Sequence, residues 1–242
     1  MHANIALPAA LIGDPARAAI LAALCDGRAQ PAGALAYAAR ISAQSASNHL
    51  AKLTEGGLLK VENEGRHRYY RLASPNVAEV MEALACLAPP VRSLEMPLSA
   101  KARSLRFGRS CYDHLAGRLG IAVTARLEAM GHLNLVDDDA KQYGVSDNGR
   151  HWFAALGIEV AALKRGRRGL ARRCLDWTER RHHLAGPLGT TLLSRLVELG
   201  WLRRDHATRA VCVTCAGAVG LARSLELDVR ELDDLAPAQD AS

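Results

Sequence analysis

The sequence predicts a mainly α-helical chain carrying small β-hairpins, an α+β fold built from more than one similar unit. Three observations carry that expectation. Aromatic residues are only 4% of a chain that is 49% hydrophobic, so Leu, Ala and Val must fill the core, which favours helices. Stretches of helical periodicity alternate with short strand-like stretches that turn at Gly and Asn. Two segments 69 residues apart, HLAGRLG from His114 to Gly120 and HLAGPLG from His183 to Gly189, are nearly identical.

The length of 242 residues suits one large domain or two small ones, and 23% charged residues is an ordinary globular balance. The formal net charge of +6 leans towards an acidic partner such as nucleic acid. The six cysteines are scattered, and no basic N-terminal region precedes an apolar run and cleavage site. A reducing cytoplasm with free thiols is the expected compartment. No apolar run approaches the roughly 18 residues of a membrane span, so no membrane partner is expected.

Each element of the first ninety residues follows from local signals. In GDPARAAILAALCDG, Asp14 suits a helix N-cap and Pro15 the first helical position, while Ile20, Leu21 and Leu24 recur at helical spacing. Gly27 can close that helix in the left-handed conformation. A second short helix is expected from about Ala32 to Arg40. Ser42 then caps a third helix in ISAQSASNHLAKLTEGGLL. One face of it is apolar (Ala46, Leu50, Leu53), and its early positions are polar: Gln44, Ser45, Ser47, Asn48 and His49. Asn and Gln can pair with adenine through two hydrogen bonds, and Ser can donate or accept, so this face suits the DNA major groove. GLLKVENEGRHRYYRLA reads as a hairpin turning near Asn63 to Gly65, with Arg66, His67 and Arg68 at or near its tip. Ser74 and Pro75 begin a further helix whose stripe of Val77, Val80, Met81, Leu84 and Leu87 suits either its own core or a dimer interface. Helix, turn, polar helix and basic-tipped hairpin is the order of a winged helix-turn-helix, with the helix in the major groove and the wing on phosphate or the minor groove.

On GDPARAAILAAL, ISAQSASNHLAKLTEGGLL and EGRHRYYRL, the stretch from about Leu7 to Pro89 resembles the ArsR family of small winged-helix repressors. The resemblance implies a homodimeric transcriptional regulator that binds double-stranded operator DNA and is usually released by an effector. It places Ser42, Gln44, Ser45, Ser47, Asn48, His49 and Lys52 on or beside the recognition helix and Arg66, His67 and Arg68 on the wing. The last-helix stripe becomes the dimer helix. The family's two standard metal sites do not carry over: GALAYAAR holds no Cys, and PNVAEVMEALACLA holds no His. Cys25 and Cys86 fall on the two helices that a cysteine pair joins in a thiol-switch branch, without matching it closely; two small buried residues are the alternative.

Beyond a connecting segment (91–110) lies a region expected to hold two repeats, about 111–165 and 170–235 within 111–235. RLEAMGHL from Arg126 answers RLVELGWL from Arg195, GVSDNG answers CVTCAG, and GIEV parallels ELDV. KLTEGGLL from Lys52 shares the frame, so one winged-helix unit (1–90) is expected to be followed by two degenerate ones. Where the first unit shows Ser, Asn and Gln, the second shows GIAVTA and the third GTTLLS, which is intermediate; apolar groups on that face suit burial or a pocket better than a base edge.

Each later copy is preceded by Cys-x-Asp, at Cys111 and Cys174. With Asp113, His114, Asp176, Trp177, Arg180 and His183 they form a candidate effector pocket. Thiolate, imidazole and carboxylate could hold a soft or borderline metal, or Trp177 and Arg180 a small organic anion, or the histidines could simply pack at a turn. No metal ligand set and no catalytic residue is assigned, no cofactor is required, and the effector, metal or small molecule, stays unknown. CVTC at Cys212 to Cys215 lacks a second pair and reads as structural. The basic run KRGRRGLARR is a solvated linker or a contact to DNA backbone. The first ninety residues carry about +1 and the remainder about +5, so the basic excess lies mostly outside the expected reader. A thiol-switched repressor, a cysteine-nucleophile enzyme and a winged helix that binds protein are the competing readings.

Overall fold

Asp14 caps a helix as its position predicts. Its side chain accepts from the Arg17 N–H at 2.9 Å, and Pro15 takes the first helical position. The computed structural model describes residues 4–25, 27–64, 67–87, 100–136, 141–166, 169–205 and 208–232. The chain divides into two units between residues 88 and 89.

The first unit runs α1 (Ala6–Ile12), α2 (Pro15–Ala23), β1 (Gln30–Pro31), α3 (Ala32–Ala39), α4 (Ala43–Glu55), β2 (Leu59–Glu64), β3 (His67–Leu72) and α5 (Pro75–Leu87). Two of these elements are additions to the sequence reading. One is α1, held by the Arg17 side chain, which donates to the Leu11 and Ala10 carbonyls at 2.5 and 2.9 Å. The other is β1, two residues that pair with β3 and give a three-stranded sheet in the order β1-β3-β2. A pattern two residues long is below what periodicity can detect, and Pro31 is tolerated because β1 is an edge. Ser42 caps α4 by accepting from the Ser45 N–H at 3.2 Å. The buried side chains include the expected apolar ones, Ile20, Leu21 and Leu24 of α2 and its end and Ala46, Leu50 and Leu53 of α4, joined by Leu35 of α3.

The second unit opens with α6 (Ala100–Phe107). Then one motif occurs twice: hairpin, long helix, hairpin, helix and a 3-10 turn. The first copy is β4 (Arg109–Cys111), β5 (His114–Ala116), α7 (Gly117–Ala129), β6 (Leu133–Leu135), β7 (Tyr143–Val145), α8 (Asp147–Ala155) and a turn at Val160–Ala162. The second is β8 (Arg172–Leu175), β9 (His182–Ala185), α9 (Gly186–Glu198), β10 (Leu202–Arg204), β11 (Val211–Val213), α10 (Cys215–Leu225) and a turn at Val229–Leu232. The likeness extends to caps: Ser146 and Thr214 each accept from a glycine N–H three residues on, Gly149 and Gly217, at 2.9 Å. After α4, α7 and α9 the chain turns at Gly57, Gly131 and Gly200 with φ of 72°, 70° and 69°. That left-handed turn is the frame shared by KLTEGGLL and the two later copies.

The two copies exchange strand contacts reciprocally. Arg109 of the first bridges Ala210 of the second, and Arg172 of the second bridges Gln142 of the first. The Ser110 N–H donates to the Arg209 carbonyl and the Arg173 N–H to the Lys141 carbonyl, both at 2.9 Å. α7 packs on β9 and α9 on β5. One core joins both copies, with Leu119, Leu127 and Phe153 from the first and Leu188, Leu193 and Leu221 from the second, all fully buried. The C-terminal end of the basic run is therefore a paired strand, β8; Arg167 and Arg168 lie outside the described residues. Among the described residues no single helix is long and apolar enough to cross a membrane.

Candidate nucleic-acid interface and a buried thiol–imidazole cluster

The burial of Ala46, Leu50 and Leu53 fixes the rotation of α4 and decides which polar residues face water. Gln44, Ser47, Asn48 and Lys52 are exposed. The other expected reading residues have local partners. Ser42 is occupied as the cap, Ser45 is half-buried, and Ser47 Oγ also donates to the Ala43 carbonyl at 3.1 Å. His49 is half-buried, with Nδ1 3.6 Å from Asp14 Oδ1, so it faces α2. On the wing, β2 and β3 pair in register from Leu59↔Leu72 to Glu64↔His67, and Arg68 is exposed. Arg66 and the side chain of His67 lie outside what is described.

The stripe on α5 divides. Val77 is buried within the first unit and Met81 is half-buried, whereas Val80, Leu84 and Leu87 are exposed at 46%, 43% and 81%. Cys25 is buried, with its thiol donating to the Leu21 carbonyl at 3.3 Å, and Cys86 is half-buried.

In the second unit the duplicated hairpins bring four side chains together. Cys111 and His114 are cross-strand partners in β4–β5; Cys174 and His183 are cross-strand partners in β8–β9. Directly opposed residues on a hairpin share a face, so each hairpin presents one thiol beside one imidazole. The first closes through Tyr112 and Asp113 alone, with Tyr112 at φ 58°, as a two-residue turn requires. The second spans six residues, 176–181, organised by Asp176 accepting from the Thr178 and Glu179 N–H groups at 2.9 and 3.2 Å. That longer loop accounts for the extra residues between Cys174 and HLAG, and the equivalence of Cys174 with Cys111 expected from Cys-x-Asp holds across it.

The hairpins meet with Cys111 Sγ 3.9 Å from Cys174 Sγ and His114 Nε2 3.2 Å from His183 Nε2. The imidazoles stack at 5.1 Å and are 3% and 1% exposed. Behind each ring lies a carboxylate: Asp113 Oδ1 is 3.0 Å from His114 Nδ1, and Asp176 Oδ2 is 3.9 Å from His183 Nδ1. Burial pushes the His114 imidazole down, but Asp113 and Cys174 outweigh it and push it up to about 9. The hydrogen bond from Cys111 pulls the Cys174 thiol down against burial, with His114 and His183 adding to the pull.

Asp176 has a second task. Both its oxygens accept from Arg109 Nη2, at 2.9 and 2.8 Å, in a pair that is 0% and 1% exposed. It also accepts from the Thr178 hydroxyl at 2.6 Å and from the N–H of Gly117, the first residue of α7, at 2.8 Å. Burial raises this carboxyl, but Arg109, the Thr178 hydroxyl and Gly117 outweigh it and hold it at about 2. Of the remaining candidate effector residues, Trp177 lies under the Arg109 guanidinium at 5.1 Å and Arg180 is exposed. Arg109 escapes the sequence reading, because nothing in the letters RFGRSC sets a buried arginine apart from a surface one. Cys212 ends up on β11 and Cys215, exposed, at the start of α10.

A helix-turn-helix with a hairpin wing, an exposed polar face on its second helix and an arginine on its wing defines a winged helix-turn-helix DNA-binding domain. Comparison with known proteins agrees. A family described as "Helix-turn-helix domain" matches residues 12–62. The uncharacterized HTH-type transcriptional regulator YdfF of Bacillus subtilis is 43% identical over 229 residues, covering 95% of this chain and all of that protein. The chain belongs to this family of HTH-type transcriptional regulators, and it is ArsR-like, as its own motifs imply. Among solved structures, HlyU from Vibrio cholerae is 29% identical over 36% of this chain and 97% of its own, with a TM-score of 0.33. The homodimeric winged helix-turn-helix domain Mb0332 of Mycobacterium bovis, a possible ArsR-family regulator, is 28% identical over 34% of this chain and 76% of its own, with a TM-score of 0.32.

Proposed function

We propose that this regulator is a homodimeric repressor whose first unit reads operator DNA and whose second unit takes the effector that releases it. The observation that carries the reading half is the rotation of α4, which exposes Gln44, Ser47, Asn48 and Lys52 as one polar face. In this reading α4 enters the major groove while Arg68 and its wing neighbours hold the backbone. Pairing through the exposed Val80, Leu84 and Leu87 of α5 sets two reading helices about 34–36 Å apart, one helical turn of DNA. The effector is assigned to the cluster of Cys111, Asp113, His114, Cys174, Asp176, Trp177, Arg180 and His183. It releases the operator by binding the released state more tightly than the DNA-bound one.

Fluorescence anisotropy tests the reading half. The full chain is titrated against a duplex from upstream of its own gene and against a scrambled duplex, each over a salt series. The native duplex binds more tightly, and Gln44→Ala with Asn48→Ala removes that preference, each two-point base contact contributing about 1–3 kcal/mol. Salt-dependent binding of both duplexes survives in the variant, since phosphate contacts remain. Equal binding of the two duplexes by the unaltered protein overturns sequence-specific reading by α4.

A further inference from the structure

We propose that Cys111, His114, Cys174 and His183 form a closed tetrahedral site for a zinc-class metal ion that ties the two copies of the second unit together. The assignment rests on the cluster's geometry and does not depend on the first unit reading DNA.

Two edges of the cluster have the lengths of a coordination shell. Zinc binds thiolate at about 2.3 Å and imidazole nitrogen at about 2.0–2.1 Å. A tetrahedron of those bond lengths has a sulfur–sulfur edge of about 3.8 Å and a nitrogen–nitrogen edge of about 3.3 Å. The separations here are 3.9 and 3.2 Å, and all four donor atoms lie within 4.8 Å of one another.

The orientation of the rings points the same way. Asp113 Oδ1 sits at hydrogen-bond distance from His114 Nδ1, so an N–H held there leaves Nε2 as the nitrogen that gives up its proton to a metal ion. His183 turns its own Nε2 to His114 Nε2, with its Nδ1 3.9 Å from Asp176 Oδ2. Two imidazole nitrogens facing each other at 3.2 Å share either a hydrogen or a metal ion. A proton satisfies only that pair, whereas a metal ion satisfies both nitrogens and both sulfurs. Carboxylates behind metal-bound histidines are the usual means of fixing tautomer and ring direction. Asp113 is so placed for His114, whereas Asp176, 3.9 Å from His183 Nδ1, stands beyond hydrogen-bond distance; both come from the same Cys-x-Asp signature as the thiols.

The donor set selects the ion. Two thiolates and two imidazoles in a tetrahedron suit zinc, not the oxygen-seeking magnesium or calcium or the square-planar preference of nickel. Four protein ligands leave no open position for water or substrate, so the site is one that holds structure or senses metal, not one that hydrolyses. Each hairpin supplies one sulfur and one nitrogen, so an occupied site cross-links β4–β5 to β8–β9.

Two measurements on the full chain test the assignment. The metal-free protein is titrated with cobalt(II), which reports thiolate ligation as near-ultraviolet charge-transfer absorption and tetrahedral geometry as intense visible bands. One cobalt per chain is expected, displaced by zinc. The charge-transfer band is lost in Cys111→Ser with Cys174→Ser and kept in Cys212→Ser with Cys215→Ser. X-ray absorption on the zinc-loaded unaltered protein needs no variant to fold, and is expected to show two sulfurs at about 2.3 Å and two nitrogens at about 2.0–2.1 Å. A shell of oxygen and nitrogen alone, a charge-transfer band unchanged in folded Cys111→Ser with Cys174→Ser, or reduced protein that takes up neither metal overturns it.

Discussion

At the scale of single residues, the buried pair Arg109–Asp176 carries the most weight. Asp176 is shared by Arg109, by the N–H at the start of α7 and by the loop that shapes the second hairpin, so one carboxylate joins three elements from both copies. Removing one partner of such a pair leaves an uncompensated buried charge, whose cost is about 3–5 kcal/mol. Asp176→Ala is therefore expected to lower the unfolding free energy of the second unit by that amount, read from urea denaturation of the full chain. Arg109→Met with Asp176→Leu is expected to recover most of it. Sequence reasoning reached Asp176 as a candidate ligand through its place in Cys-x-Asp, but not its ion pair. An arginine's burial is set by what folds over it, and residues 109 and 176, 67 positions apart, meet only when the two hairpins pack together.

At the scale of elements, the α2 and α4 helices were legible almost entirely from their caps and apolar spacing. Asp14, Pro15 and Ser42 sit where local rules put them, because a cap needs only its own neighbours. The face of α4 was legible in part: Gln44, Ser47 and Asn48 are presented, whereas His49 turns to Asp14, a residue 35 positions away that periodicity cannot see. The cap also has a pH signature. The Arg17 N–H, then the nearby Arg17 and His49 charges, outweigh partial desolvation and hold the Asp14 carboxyl below its ordinary value. A lowered folded-state value means stabilisation that is complete above the ordinary carboxylate range and lost as pH falls through it towards the folded value. The N-terminal turn of α2 is thus expected to open more readily below about pH 4. Asp14→Asn keeps a cap of similar strength without the charge. Amide exchange at Arg17, compared with wild type at each pH, is expected to show a wild-type penalty on acidification that the variant lacks.

At the scale of the whole molecule, duplication was readable in HLAGRLG and HLAGPLG, and its element-by-element extent follows from the paired caps and left-handed glycine turns. What the letters did not show is that the copies interlock. Strand exchange is a relation between segments about 100 residues apart at one junction and about 30 at the other, and neither copy's own pattern records it. It has a direct test. A polypeptide ending at Leu163 lacks β8, β9 and α9, on which β5 and α7 pack, so its part of the second unit is expected to stay unfolded by circular dichroism and amide exchange. Adding residues 164–242 as a separate chain is expected to restore the fold. Folding of 1–163 as a complete, protected first copy would show that the copies are independent. The same interlock sets how the two pairings in this protein respond to dilution. The proposed association of two first units through α5 obeys mass action and weakens as the protein is diluted. The pairing of the two copies does not, because the short connection from the turn at Val160–Ala162 to β8 holds each copy at an effective concentration on the order of millimolar beside the other. One pairing therefore counts molecules and can be tuned by expression level, while the other is constant in every molecule synthesised.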